Sequence, residues 1–107
     1  MIARVWRGWT AAADADAYAE YLLETGMRKA RETPGNVSAS FLRRIVEGRA
    51  EFVTVIVWET LDAVRAFAGP DIEQAVFFPE DERYLVEREL TVAHYEVFDP
   101  DVPAGFG

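Results

Sequence analysis

The sequence feature that most constrains the fold is an abrupt change of pattern within residues 51–67. Residues 52–58 are almost all β-branched or aromatic, and such side chains pack well on a pleated sheet, so they predict a strand buried on both faces. Thr60 can cap a helix that follows at once, with Ala63 and Phe67 on its buried face. Because a strand buried on both faces lies inside its sheet, this stretch predicts a central strand with a covering layer on each side.

The segments before this stretch predict a strand, a long helix and a second strand. Residues 2–9 carry apolar side chains in both alternating sets, which is typical of a strand with two occupied faces. An Ala-rich segment then predicts a helix that ends near Glu32, before the Pro34-Gly35-Asn36 turn. Residues 37–46 predict the next strand, and the short turn at 47–49 joins it to the central strand as an antiparallel hairpin.

The long helix has a predicted inner face and one irregular position. The face follows the i, i+3, i+4, i+7 spacing of Tyr18, Tyr21, Leu22 and Thr25. Gly26 interrupts the helix at a cost of about 1 kcal/mol relative to alanine. The glycine indicates either close packing against the sheet, which we prefer, or a backbone thinned to admit a ligand.

The segment after the central stretch predicts two short helical pieces and a last strand. Asp71 can cap a helix through residues 72–76. Pro79 ends that helix, and the acidic residues 80–82 suit the first turn of another helical piece. A final strand is predicted over 87–98, and the Pro/Gly-rich residues 100–107 predict a loose tail.

The order of these elements, β-α-β-β-α-β, predicts an α+β fold, a ferredoxin-like split sandwich with an antiparallel sheet, in one domain over residues 1–99. In this topology the first and third strands are central, the last strand lies at the edge beside the first, and the helices cover one face. The other face carries either Val53, Val55 and Val57 or the set that includes Phe52 and Trp58. Either set is apolar, so a second copy of the chain is the simplest cover, and we expect a homodimer.

The composition argues against several classes of function. Of the 107 residues, 19 are acidic and 11 basic, and the formal net charge of −8 repels phosphate backbones and anionic membranes. We therefore expect no nucleic-acid partner and no membrane partner. The chain has no cysteine, hence no thiol nucleophile, and no apolar run with the character of a signal peptide or membrane span. A cytoplasmic protein is expected.

Several stretches resemble the antibiotic biosynthesis monooxygenase family. They are a strand ending in TVIVWET, a helix of the LDAVRAFAG type, a final strand with HYEV, and a PG that closes the first helix before a strand carrying LRR. The resemblance covers residues 1–99 and implies a dimeric α/β barrel built from two ferredoxin-like subunits. That family includes cofactor-independent oxygenases of aromatic polyketides, haem-degrading enzymes and members with no assigned activity.

The haem-degrading branch of that family has an Asn on its first strand, a Trp at the end of its third strand and a His on its second helical region. Trp58 matches the Trp, whereas Trp6 stands about where the Asn would be, and Phe77 about where the proximal His would be. Without an imidazole the iron would lose its expected axial ligand. We therefore expect no haem, and no other cofactor.

The candidate catalytic residue is His94, the only histidine, because imidazole alone has an unperturbed pKa near neutrality. It could abstract a proton from a phenol or an anthrone-like carbon, or it could simply pack at the sheet or dimer interface. Trp6 and Trp58 come from the two central strands and either stack on a flat aromatic ligand or fill the core. The other pocket candidates are Phe67, Phe77 and Tyr84.

Arg83 and Tyr84 could polarise a substrate oxygen, but the acidic run at 80–82 lies beside them, so we prefer an ion-paired helix start. Carboxylates without a nearby histidine are a poor metal site, so we expect no metal.

Two functions remain open. The first is a cofactor-independent monooxygenase acting on a small planar aromatic, polyketide- or quinol-like; the alternative is a non-catalytic dimer that binds a small ligand or serves in a stress response.

Overall fold

The computed structural model describes residues 1–98 and shows one antiparallel sheet of five strands with helices packed on one side. The predicted tail at 100–107 lies outside the described residues. The strands are β1 (Ile2–Ala11), β2 (Asn36–Val46), β3 (Arg49–Trp58), β4 (Leu85–Arg88) and β5 (Ala93–Glu96). Their order is β2-β3-β1-β4, with β5 also paired to β1. The predicted split sandwich, with the first and third strands at its centre, is confirmed.

The helices lie between the strands in the predicted order. They are α1 (Ala15–Leu22), α2 (Arg28–Glu32), α3 (Leu61–Ala68) and α4 (Asp81–Tyr84). A short 3-10 turn, Ala12–Asp14, precedes α1, and a π-helical turn, Leu23–Met27, lies between α1 and α2. Within residues 1–98, no helix has the length and apolar character needed to cross a bilayer.

Two local sequence predictions are confirmed. Thr60 caps α3, because its Oγ1 accepts a hydrogen bond from the Ala63 amide at 3.1 Å. The β2–β3 connection is a tight hairpin in which Glu47 and Gly48 have φ of 52° and 79°. Positive φ at two consecutive turn residues is the geometry that suits the twist of a hairpin, so this turn sets the register of the two strands.

The central strands β1 and β3 pair antiparallel along their whole length. The helices pack on one face of the sheet, which we call the covered face, and leave the other face open. On the covered face Phe52, Ile56 and Trp58 of β3 are at most 5 % exposed. They pack beneath the helices in two apolar clusters, with Tyr18 of α1 in one and Phe67 of α3 in the other. The helix faces predicted from residue spacing therefore point at the sheet.

The open face is the side of the sheet that carries Val5, Val53, Val55, Val57 and Tyr95. No helix of residues 1–98 lies over it, since its valines are half-exposed and Tyr95 is 59 % exposed. The prediction that residues 52–58 are buried on both faces therefore holds for one face of a single chain. Of the two alternating sets, the valines are the one left uncovered.

The predicted short helix over 72–76 is wrong. These residues form a turn and an irregular segment, in which Gln74 makes a single bridge to Thr91 beyond β4. The carbonyls of Ile72 and Gln74 accept hydrogen bonds from the Arg4 guanidinium instead of from helical amides. Contacts with the sheet have replaced the local bonds that a helix would have made.

The predicted last strand over 87–98 is two shorter strands, β4 and β5, interrupted at residues 89–92. Both pair antiparallel with β1, so the predicted edge position beside the first strand is confirmed. The register of β4 shifts between Trp9 and Thr10 of β1. At the interruption, the carbonyl of Glu89 accepts a 2.7 Å hydrogen bond from the Trp6 indole.

Gly8 on β1 makes room for the Trp6 side chain two residues earlier on the same face. A Cβ on Gly8 would lie 2.3 Å from Cη2 and 2.7 Å from Cζ2 of Trp6, which is far inside contact distance. The indole therefore occupies the space that any larger residue at position 8 would need. The orientation of Trp6, and with it the shape of the neighbouring cleft, depends on this glycine.

Candidate functional site

A cleft of about 50 Å³ lies between the covered face of the sheet and the helices. It is lined by β1 and β3, by the helical segments from α1 to α2, by α3, and by the irregular residues 75–78. A buried water needs roughly 10–15 Å³ on this scale, so the cleft has room for a few water molecules. We call the irregular segment 72–78 the irregular wall of the cleft. A ligand the size of one aromatic ring requires outward movement of this wall.

Aromatic side chains form much of the lining. Trp6 and Phe77 meet edge to face with ring centroids 6.0 Å apart, and Phe67 and Phe78 also face the cleft. Lys29 of α2 contacts two of these rings, with Nζ 5.1 Å from the Phe67 ring centre and 5.9 Å from that of Phe78. Such rings stack well on a flat ligand, and the negative faces of the Phe67 and Phe78 rings attract the Lys29 ammonium.

Arg4 is the charged residue of the floor. It lies on the central strand β1, is 3 % exposed, and lines the cleft. Its Nη1 donates to the Ile72 carbonyl at 2.5 Å and contacts His94 Nε2 at 3.1 Å, while Nη2 donates to the Gln74 carbonyl at 2.8 Å. Burial lowers the pKa of Arg4 to about 10, since the low-dielectric surroundings disfavour its charge. It remains a cation at neutral pH.

His94 lies on β5 next to Arg4 and is not among the residues that line the cleft. A guanidinium can only donate, so His94 Nε2 must accept, which assigns the proton to Nδ1. Burial, and then the charge of Arg4, lower the pKa of His94, while Glu73 acts in the opposite direction. His94 is therefore neutral at pH 7 with its Nε2 lone pair engaged. Its catalytic role stays a prediction.

This environment predicts a pH-dependent contribution of His94 to stability. Because its folded pKa lies below the unfolded value of about 6.5, the unfolded chain binds the proton more tightly. Stability present at pH 7.5 is therefore lost as the pH falls through about 6.5. We expect denaturant unfolding to show a larger loss between pH 7.5 and 5.5 for wild type than for His94→Gln, whose amide oxygen can still accept from Arg4. Equal losses would contradict the assignment.

Asp81 is a second buried ionisable group in the lining. It is 4 % exposed; its Oδ1 accepts from the Tyr18 hydroxyl at 2.9 Å and its Oδ2 from the Phe78 amide at 2.6 Å. Burial raises the pKa of Asp81, and these two hydrogen bonds and the charge of Arg88 oppose the rise. Burial and Asp81 together raise the pKa of Tyr18, so the phenol stays protonated. A carboxylate with a raised pKa beside an apolar cleft is suited to proton transfer.

The structure brings three of the five predicted pocket residues together. Trp6, Phe67 and Phe77 line the cleft, whereas Trp58 and Tyr84 do not. Trp58 is fully buried behind Phe67, with ring centroids 5.2 Å apart, and its indole nitrogen has no hydrogen-bond partner within residues 1–98. Tyr84 packs against Tyr18, with ring centroids 5.7 Å apart, in the apolar cluster that includes Tyr18.

Three site residues were missed by reasoning from sequence, namely Arg4, Tyr18 and Asp81 as members of one cleft. Arg4 left a signal, because a cation alternates with apolar residues on a strand predicted to be central. The ion-paired helix start predicted over 80–83 is present, because α4 begins at Asp81 and Glu80 pairs with Arg83 on the surface, but Asp81 takes no part in the pair: it is buried and bonded to Tyr18. No spacing rule connects positions 18 and 81.

Gly26 also lines the cleft, in the π-helical turn between α1 and α2. A Cβ there would meet only Phe78 Cε2, at the ordinary contact distance of 3.7 Å. The preferred interpretation, close packing against the sheet, is therefore wrong, since the site could accept an alanine. Extra turns of this kind recur at functional sites, and here the turn widens the helical wall of the cleft.

Haem does not fit this site. No histidine lines the cleft, since the only one in the chain is His94 and its Nε2 contacts Arg4. The position expected for a proximal ligand, Phe77, presents a hydrocarbon ring that contacts Trp6. Within residues 1–98, no three His, Asp or Glu side chains group as a metal site either.

Comparison with solved structures identifies the fold. A protein of Nitrosomonas europaea assigned as an antibiotic biosynthesis monooxygenase superimposes with a TM-score of 0.66 at 14 % identity, covering 92 % of this chain and 91 % of that one. A Bacillus cereus protein with the same assignment gives 0.61 at 20 % identity, covering 90 % and 91 %. The heme-degrader MhuD of Mycobacterium tuberculosis, with two hemes in its active site, gives 0.55 at 18 % identity, covering 91 % and 95 %.

These similarities establish architecture and not chemistry, because all three identities are low. No protein-family model and no curated protein sequence matches the chain. The chain has the ferredoxin-like fold of the antibiotic biosynthesis monooxygenase proteins over more than 90 % of its length. The resemblance seen in its sequence is confirmed at the level of the fold.

Proposed function

We propose that the protein is a cofactor-independent oxygenase of a small phenol or quinol bound in the cleft. The observation that carries this proposal is a buried carboxylate, Asp81, with a raised pKa, facing a cleft lined by aromatic rings. The fold supports it, since the similar structures include proteins assigned as monooxygenases. Opening the cleft for one or two fused rings needs less movement of its wall than opening it for a large polyketide, so we propose a small ligand.

The chemistry requires only groups that the cleft contains. Asp81 takes the phenolic proton, and the resulting phenolate supplies electrons to molecular oxygen, which partitions readily into an apolar space. Overall, a phenol and O₂ give a quinone and water: one oxygen atom becomes the new carbonyl, and the other leaves as water with the phenolic and ring protons. The Arg4 cation lies in the same cleft and stabilises negative charge that develops on oxygen.

Asp81 is preferred over His94 as the base for geometric reasons. The Nε2 lone pair of His94 already accepts from Arg4, and the ring lies outside the lining. Each carboxylate oxygen of Asp81 has a second lone pair beyond its one hydrogen bond. His94 is retained as the alternative base.

One observation favours a second function, a non-catalytic module that binds the same ligands. Both Asp81 oxygens accept hydrogen bonds that hold the irregular wall against α1, as a purely structural carboxylate would. In that case the cleft binds an aromatic ligand without transferring a proton. Binding and turnover must therefore be measured separately.

Oxygen uptake by metal-free protein with 1-naphthol and related phenols tests the proposal. We expect one quinone formed per O₂ consumed, and one labelled oxygen atom in the quinone when ¹⁸O₂ is supplied. The His94→Ala variant should retain turnover, and its loss there would move the base to His94. Saturable ligand binding with no oxygen uptake would refute the oxygenase and favour the binding module.

A further inference from the structure

Arg4 carries a buried charge with no counter-charge in the described chain. The ion pairs of residues 1–98 all involve other arginines, so no carboxylate lies within 4.0 Å of the Arg4 guanidinium. Its three partners are two main-chain carbonyls and a neutral imidazole. Buried charges are normally paired, because desolvation without an opposite charge is costly.

The guanidinium also has donors to spare. Of its five N–H groups, three are engaged in contacts with Ile72, Gln74 and His94. The Nε–H and the second Nη2–H have no acceptor within residues 1–98. The atoms Nε and Nη2 lie along one edge of the planar guanidinium, and this edge can bind a carboxylate through two parallel hydrogen bonds.

The surroundings favour an aromatic anion over a simple one. The Arg4 Cζ lies 6.0 Å from the centre of the Phe67 ring, and the ammonium of Lys29 lies 5.1 Å from the same ring centre. The two cations thus flank one ring of the lining. Asp81 also lines the cleft but shares no hydrogen-bond partner with Arg4, since it accepts from Tyr18 and Phe78, so each of the two groups is held in the lining by its own contacts.

We propose that Arg4 binds the carboxylate of an aromatic acid in the cleft, so that the ligand is a hydroxy-substituted aromatic carboxylate. The carboxylate supplies the charge that the buried guanidinium lacks, the ring lies among Trp6, Phe67 and Phe77, and the hydroxyl is left for Asp81. This inference rests on the proposed use of the cleft as a ligand site and adds the charge and functional groups of the ligand.

Wild-type protein tests the inference directly with two probes that differ only in charge, 4-hydroxybenzoate and 4-hydroxybenzamide. Titration by calorimetry should show at least about 10-fold tighter binding of the carboxylate, as a charge-assisted bidentate contact gives. In NMR spectra the Arg4 Nε–H signal should shift with the carboxylate and not with the amide. Equal affinities, or no binding of either probe at millimolar concentration, would overturn the inference.

The matched variants are Arg4→Lys and Arg7→Lys. Lysine keeps the charge at position 4 but loses the planar fork, so the preference for the carboxylate should fall at least about threefold while amide binding is unchanged. Arg7 lies on the open face in an exposed pair with Glu89, so Arg7→Lys should bind both probes as wild type does. A preference that survives Arg4→Lys would leave Arg4 only its structural contacts with the irregular wall.

Failure of this inference is distinguishable from failure of the oxygenase. Selective carboxylate binding without oxygen uptake supports the Arg4 site and refutes the proposed reaction. Oxygen uptake with neutral phenols, combined with equal binding of the two probes, supports the reaction and refutes the Arg4 site.

Discussion

A Val55→Asp variant is expected to be a folded monomer at micromolar concentrations, where we expect the wild type to be a dimer. Val55 lies at the middle of β3 on the open face, opposite Val5 of β1. We propose that a second copy of the chain covers this face, because the helices pack on one side of the sheet and leave the apolar valines on the other side uncovered. An interface of about 800 Å² per subunit is the usual size for a stable complex.

The expected effect is large because the new carboxylate would be buried without a partner. Removing one partner of a buried charge pair costs about 3–5 kcal/mol, and an unpaired interface charge is of the same order. Each dimer contains the substitution twice, so the dissociation constant should rise at least about 100-fold. Sedimentation velocity at micromolar concentrations measures the change, and circular dichroism checks that the subunit stays folded.

Leu61→Asp is the matched control, since it places the same change on an exposed leucine of the helical layer. Leu61 is 41 % exposed and begins α3, where an acidic residue suits the helix dipole. This variant should sediment as wild type does. A wild-type protein that is already monomeric at this concentration, or a Val55→Asp dimer as tight as wild type, would contradict the proposed assembly.

An Asp81→Asn variant is expected to lose about 100- to 10,000-fold in the rate of phenol oxidation, the range that general base catalysis contributes. Asparagine keeps an oxygen for the Tyr18 hydroxyl but cannot accept a proton at neutral pH. In wild type the rate should rise with pH through the pKa of Asp81, which burial places above its ordinary value of 3.8. In a plot of rate against pH, the Asp81→Asn variant should not show this rise.

Two further variants separate catalysis from structure at this position. Glu80→Gln changes the neighbouring exposed carboxylate, which pairs with Arg83 on the surface, and should leave the rate unchanged. Tyr18→Phe removes the donor to Asp81 but leaves the carboxylate, so most activity should remain. Loss of ligand affinity in Asp81→Asn in proportion to the loss of rate would show that the carboxylate only holds the cleft together.

The elements that sequence predicts well are those set by local chemistry. The run at 52–58, the Thr60 cap and the hairpin turn at Glu47 and Gly48 each depend on neighbouring residues alone, and each is confirmed. The segment at 72–76 fails because its carbonyls are taken by Arg4, which is about 70 positions away in the chain. A helix pattern cannot reveal such a competitor.

The site divides in the same way. Trp6 of β1 and Phe67 of α3 could be proposed as lining residues, because strand and helix periodicity shows which face each side chain lies on. The pairing of Asp81 with Tyr18 depends on how the irregular wall lies against α1, which no local pattern records. In the sequence, the only sign of the polar site is a cation, Arg4, on a strand predicted to be central. Strand alternation alone does not assign that cation a role.

Gly8 and Trp6 have a consequence for how this protein can change over evolutionary time. The indole fills the volume beside Gly8, so the two positions share one fixed volume and are not inherited independently. A descendant can gain a side chain at position 8 only if the Trp6 indole moves or position 6 becomes smaller. Each path to a larger residue at position 8 therefore displaces or removes the aromatic ring that shapes the cleft, so the geometry of the ligand site constrains which mutations can accumulate.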